Sequence, residues 1–307
     1  MVDGVFAARA LSVESLSAIS VVIPFFNIAM AIGSMFAMGG SVLVAKKKGK
    51  KLEQESRENL TLITLVVVVA STLISLLSWV FTDQILNLLG ANDYIFDLAR
   101  QYLRLIILFF PSLITGLVLA QFLIADGRPT LSMVATVSGI LVSTGLNVLF
   151  LFVFDMGIYA LALATGIGYT LPTVVGMAYF SSRRQSGLYF VKPKWDFKAL
   201  MQSSYNGLSE MITLLSSTVT TIVMNNVLIR IVGFEGVAAA GIVMAINFMF
   251  TSLYFGYSSG VAPLFSYNSG QEKKERLQQL FKKSLGIIAV RCRSNFSKRV
   301  DSHLCTS

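Results

Sequence analysis

Residues 17–51 read SAISVVIPFFNIAMAIGSMFAMGGSVLVAKKKGKK, with no charge from Ser17 to Ala45 and then Lys46, Lys47, Lys48, Lys50 and Lys51. A helix needs about 20 apolar residues to cross a hydrocarbon core. The stretch is therefore long enough to span a bilayer and ends in a cluster suited to an aqueous interface. Six further runs of this kind follow, at 60–81, 96–124, 131–154, 157–180, 200–232 and 237–265. All are expected to be helices, because in lipid each segment must satisfy its own backbone polar groups. The chain as a whole agrees, with 54% hydrophobic and 13% charged residues and a mean hydropathy of +0.70. Soluble domains carry about 25% charged residues.

The connectors alternate in charge. Basic ones follow the first span (Lys46 to Lys51 and Arg57), the third (Arg128), the fifth (Arg183, Arg184, Lys192, Lys194, Lys198) and the seventh (Lys273, Lys274, Arg276, Lys282, Lys283). The intervening connectors, around Asp83 to Asp93, Asp155 to Gly157 and Gly233 to Gly236, hold almost no Lys or Arg apart from Arg230. By the positive-inside rule the basic loops, and with them the C-terminal tail, are expected on the cytoplasmic side of a multi-pass protein of the cell membrane. Attraction to anionic lipid favours the same side. The formal net charge of +9 is thus a topological feature, and nucleic acid is not an expected partner.

A long-range repeat crosses this pattern. Arg9, Glu14, Ala18, Gly39, Leu43 and Gly49 recur as Arg230, Glu235, Ala239, Gly260, Leu264 and Gly270, an offset of 221 residues (230 − 9). The first span and its copy run in the same direction with five spans between them, so the repeat is parallel with six spans per unit, as in transporters built from two like halves. The expected fold class is all-α: a polytopic membrane protein with parallel six-helix repeats and about seven complete transmembrane helices plus partial ones.

Other chemistry finds little material. The only histidine, His303, and both cysteines, Cys292 and Cys305, lie in the last stretch of the chain. They offer neither zinc spacing nor a disulfide framework. No nucleophile–base set or metal set lies at bilayer depth, so enzyme activity is not expected. The apolar stretch that starts near Ser284 turns abruptly polar after Val290. The chain opens on a segment whose copy, Leu214 to Arg230, is the outer end of a full helix. We therefore expect a fragment that lacks a helix before Met1 and carries an unrelated, disordered polar tail at 291–307.

The residues resemble the multidrug and toxic compound extrusion (MATE) family of secondary transporters. The likeness rests on Val2-Asp3-Gly4-Val5-Phe6, Ser17-Ala18 with Pro24, Gly39-Gly40 before the lysines, Gly157 followed by Ala164-Thr165, and Asn206-Gly207-Leu208-Ser209-Glu210. It covers Met1 to about Val290. Members export organic cations and drugs in exchange for sodium or protons. The resemblance implies two six-helix lobes around a cavity, with 1–190 holding the end of helix 1 and helices 2 to 6. Residues 191–290 would begin the second lobe with helices 7, 8 and the start of 9. A monomer is expected, with the bilayer and small amphipathic or cationic substrates as its partners and no cofactor beyond the coupling ion.

The resemblance also implies a coupling site. Asp3 matches an acidic residue of the family's first helix. Ser143 and Asn147 match an Asn and an Asp four residues apart in its fifth, and Thr165 matches a hydroxyl of the same site. The Asp is here an amide, so Ser143, Asn147 and Thr165 offer neutral oxygens and weaker sodium binding. They equally suit interhelical hydrogen bonding. Glu210, in an apolar helix that begins near Leu200, is a candidate for proton coupling or attraction of a cationic substrate, since a carboxyl at membrane depth is costly. The alternative is an interfacial acid paired with a Lys or Arg of the preceding loop. Arg100 and Arg104 are expected to snorkel or pair with Asp97. Met30, Met35 and Met38 suit packing or an adaptable cavity wall. The alternatives to drug export are a lipid-linked oligosaccharide flippase of the same broader superfamily, disfavoured because its cavity would be more basic, and a non-functional truncated membrane protein.

Overall fold

The computed structural model describes residues 13–91, 93–182, 187–231, 234–272 and 274–286, and no strand occurs among them. The helices are α1 (Val13–Gly49), α2 (Glu53–Val80), the short α3 (Thr82–Leu88), α4 (Asp93–Ala125), α5 (Pro129–Val148), α6 (Ile158–Ser181), α7 (Phe197–Ile231) and α8 (Phe234–Gly270). A π-helical turn, Leu149–Val153, continues α5, and residues 274–286 form α9. Each of the seven expected spans coincides with one long helix. The helices mostly overrun the spans at their ends, because polar residues continue a helix past the apolar core. The N-terminal segment with Asp3, the cysteines, His303 and the 291–307 tail lie outside the described residues.

Helix α3 falls in what reads as a connector. Its seven residues are too few for a periodic signal, yet Leu86 is fully buried. The Thr82 hydroxyl donates to the Ser78 and Trp79 carbonyls at 3.0 and 2.8 Å.

Helix α4 is the centre of the bundle, packed by α1, α2 and α6. Its buried Leu103, Ile106, Ile107, Phe110 and Phe122 form the core, and Phe25 of α1 stacks on Phe110 at 5.7 Å. Large apolar side chains such as Leu73, Leu77, Ile140 and Leu141 stay exposed. Against lipid tails that exposure costs nothing, so close packing and hydrogen bonds rather than hydrophobicity hold such helices together.

Proline shows how this works. Pro111 lies inside α4 and has no N–H to give the carbonyl of Ile107 four residues back. The buried Ser75 hydroxyl of α2 donates to that carbonyl at 2.6 Å instead. Thr173 of α6 likewise donates to the Ser112 carbonyl at 2.5 Å. The helix breaker thus becomes an attachment point for α2, with the α6 bond beside it.

The connectors sort to two ends. Lys48 meets Asp126 at 2.6 Å, and Arg57 donates to the Gly187 carbonyl at 3.0 Å, which gathers three basic connectors at one end. At the other, Tyr94 donates to Glu14 at 2.5 Å and Arg100 pairs with Asp83 at 2.7 Å and Asp97 at 3.7 Å. Arg104 lies over the Trp79 ring. Arg100 thus has the Asp97 partner expected of it and a second one from α3.

Candidate functional site

Helix α1 is the hinge of contact between α2–α6 and α7–α8, since it packs on both later helices. Glycines make this possible. A Cβ built on Gly39 would collide with the Ser203 carbonyl of α7, and one on Gly207 with the Met35 carbonyl of α1. Nearer the basic end, a Cβ on Gly49 would strike the Tyr267 carbonyl, and one on Gly270 would strike the Lys46 carbonyl. Gly49 and Gly270 are repeat partners, and so are Lys46 and Tyr267. The two copies of one helix therefore touch through equivalent atoms, as a two-fold axis between parallel repeats requires. Ser266 adds a hydrogen bond to the Val42 carbonyl at 2.5 Å.

Toward the acidic end this contact loosens. Ser203 and Gly207 are buried, whereas along 211–221 every residue of α7 is exposed or only partly covered. Ile23 and Ile28 of α1 are exposed as well. Burial along the described part of α7 thus falls off beyond Gly207 toward the acidic end. Glu210 lies three residues beyond Gly207 and seven beyond Ser203, hence on the face turned to α1, where the contact loosens. It is half-buried, and among the described residues no ion pair reaches it. The basic residues of the preceding loop that the interfacial alternative invokes include Arg183 and Arg184, which lie outside the described residues. Met35 lies at the Gly207 contact, and Met38 is buried.

The remaining candidates share another seam. A Cβ on Gly168 of α6 would sit 2.6 Å from the Ser143 Cβ and 2.7 Å from the Gly139 carbonyl, so α5 and α6 pack backbone to backbone. Ser143 and Asn147 are one turn apart on α5. Thr165 precedes Gly168 by three residues on α6, as Asn147 follows Ser143 by four on α5. Asn147 is fully buried, while Ser143 and Thr165 are half-buried. The π-helical turn begins two residues after Asn147, and such turns frequently mark functional sites. The donors this seam offers are neutral oxygens, which fit sodium better than a transition metal. Asp3 falls outside the described residues, so its relation to the seam does not enter. A leucine at Gly168 should wedge α5 from α6 and cost about 1–3 kcal/mol. A detergent melt would read this, with Gly145→Ala, whose Cβ meets nothing within 4 Å, as the neutral control.

Sequence reasoning passed over Asp126, which is nearly inaccessible to solvent and carries four polar contacts at the basic end. Its signal was only that of an acid in a basic connector.

The MatE family profile matches residues 1–149 and 210–291. The multidrug export protein MepA of Staphylococcus haemolyticus is 28% identical over 276 residues, covering 90% of this chain and 61% of that protein. MepA of Staphylococcus aureus is 27% identical over 287 residues, covering 91% and 62%. The chain thus spans less than two thirds of these relatives' length. Among solved structures, an outward-facing multidrug resistance MATE family transporter superimposes with a TM-score of 0.87 at 19% identity, over 93% of this chain and 64% of that one. That likeness is one of fold.

Proposed function

The chain belongs to the MatE family, and on that premise we propose that it serves in multidrug efflux, with export of organic cations driven by entry of sodium or protons. The observation that carries this reading is the half-buried carboxyl of Glu210 on the α1-facing side of α7. Helix α1 meets α7 and α8 on glycines at the basic end, and burial along the described part of α7 falls off beyond Gly207, where no ion pair among the described residues reaches Glu210. A half-buried carboxyl among apolar helices attracts a cation, and a proton or a cationic drug competes for the same oxygens. The α5–α6 seam with Ser143, Asn147 and Thr165 is the second coupling element, for sodium. In this reading 1–190 and 191–290 belong to the two lobes. In the same reading the basic connectors face the cytoplasm.

The test is dye efflux from a pump-deficient bacterial host, for the chain as given and for a version extended to the relatives' length. Alternating access needs both lobes, so the extended protein should clear a cationic dye in an ion-dependent way and the shorter chain should not. Glu210→Gln in the extended protein should reduce clearance by about tenfold or more, the scale of one lost charge-assisted contact. Ion-independent efflux, or none from the extended protein, would remove the proposal.

A further inference from the structure

The strand of chain that leads from α6 to α7 is not a loose tether. Its first part is bound along its length. Gly187, at φ 115°, turns the backbone so that the Leu188 N–H donates to Asp126 Oδ1 at 3.1 Å. Asp126 also accepts from Lys48 Nζ at 2.6 Å and from the Tyr179 hydroxyl at 2.8 Å, while Lys48 Nζ reaches the Asp126 carbonyl at 3.2 Å. Arg57 holds the same strand from α2. Its Nε donates to the Gly187 carbonyl at 3.0 Å and its Nη1 to the Tyr189 hydroxyl at 3.1 Å, with the guanidinium 4.3 Å above the Tyr189 ring. Phe190 N donates to the Phe180 carbonyl at 2.8 Å, and Val191 N to the Thr61 hydroxyl at 3.1 Å. Four helices, α1, α2, α4 and α6, thus grip residues 187–191.

The grip ends abruptly. Residues 192–195 are exposed, and none of the described hydrogen bonds involves them. At Asp196 order resumes, where the carboxylate caps α7 through Ala199 N at 3.1 Å. Pro193 has a fixed φ, and it confines Lys192 before it to extended backbone. The soft torsions between the two fixed points therefore fall on ψ of Pro193 and on Lys194 and Trp195.

We propose that residues 187–191 are a latch, with Asp126 as its hub, that makes this part of the connector a rigid piece of the first lobe. The inter-lobe hinge is then confined to 192–196. A carboxylate that accepts several charge-assisted and backbone bonds in a buried setting is costly to unpair. It therefore fixes where the connector can bend. Lys48 precedes Gly49, the residue that meets Gly270, so the latch also braces α1 beside the contact between the two copies.

The proposal rests on the two-lobe reading, but its test does not need transport. Amide hydrogen exchange of the full chain in detergent should show Leu188, Phe190 and Val191 protected, and Lys194 and Trp195 exchanging at the unprotected rate. Asp126→Ala should speed exchange at 188–191 by about tenfold or more and leave the α4 core amides unchanged. Arg57→Gln, which removes no buried carboxylate, should speed the same residues and keeps the test decisive if Asp126→Ala does not fold. Fast exchange at 188–191 in the parent, no change in either variant, or equal protection across 188–195 would each overturn the latch. The protection step at residue 192 together with no efflux from the extended protein would leave the latch standing and count only against the transport reading.

Discussion

Replacing Gly39 with valine is expected to drive α7 away from α1 and hold the basic end open. The new Cβ would overlap the Ser203 carbonyl and lie 2.8 Å from Gly207 N. Both are backbone atoms of a helix, so no rotamer change relieves the clash and α7 must move as a body. Overpacking of a tight core costs about 1–3 kcal/mol, occasionally more, and a rigid backbone collision belongs at the upper end. At about 3 kcal/mol the closed arrangement loses more than a hundredfold in population. A cysteine pair at Val42 and Ser266, where a hydroxyl already reaches across, should crosslink readily with a short bismaleimide in the parent and poorly in the Gly39→Val background. Gly207→Val should act alike from the other side. Gly260→Ala, at the repeat copy of Gly39, should change nothing, because no described atom lies within 4 Å of its Cβ position. Unaltered crosslinking in Gly39→Val would show that the glycine contact does not hold the basic end closed.

The second large effect concerns Asn147. Its side chain is fully buried on α5, so Asn147→Asp puts a carboxyl where no water can solvate it, at a cost of several kcal/mol unless a cation joins it. In sodium-free buffer near pH 8 the variant should melt on the order of 10 °C below the parent. Sodium should return much of that loss, since a ligand at a hundred times its Kd contributes about 2.7 kcal/mol. Potassium should return little, and the parent should respond weakly to either ion because its seam offers only neutral oxygens. A variant equally unstable in both salts would take the sodium role away from Ser143, Asn147 and Thr165.

Much of the architecture was legible from one physical constraint. A chain that crosses lipid must be helical and apolar for about 20 residues at a time. Hence the spans came out within a few residues of the helices, and the alternating connectors came out at two ends. Asp83 was legible only as a connector acid, because the helix that aims it at Arg100 has two turns and no period to detect. Asp126 was missed for a different reason. Its partners Lys48, Tyr179 and Leu188 are distant in the chain, and no local pattern distinguishes a buried, fully bonded carboxylate from one that merely balances a basic loop. Glu210 was visible as an acid in an apolar helix, yet its half-buried place on the side of α7 that faces α1 depended on how the two helices pack.

The repeat marks the division most sharply. By itself the sequence determined that Gly39 and Gly260, or Gly49 and Gly270, occupy equivalent places in two parallel units, because identical spacing on helices of one kind leaves no other register. What those places do was decided only in three dimensions. Gly49 and Gly270 meet each other across the axis, Gly39 meets α7, and Gly260 meets no described atom. Helix-forming tendency and hydropathy act along the chain and are copied with it. Contact between backbones depends on which surfaces come within van der Waals reach, and no repeat in the chain encodes that.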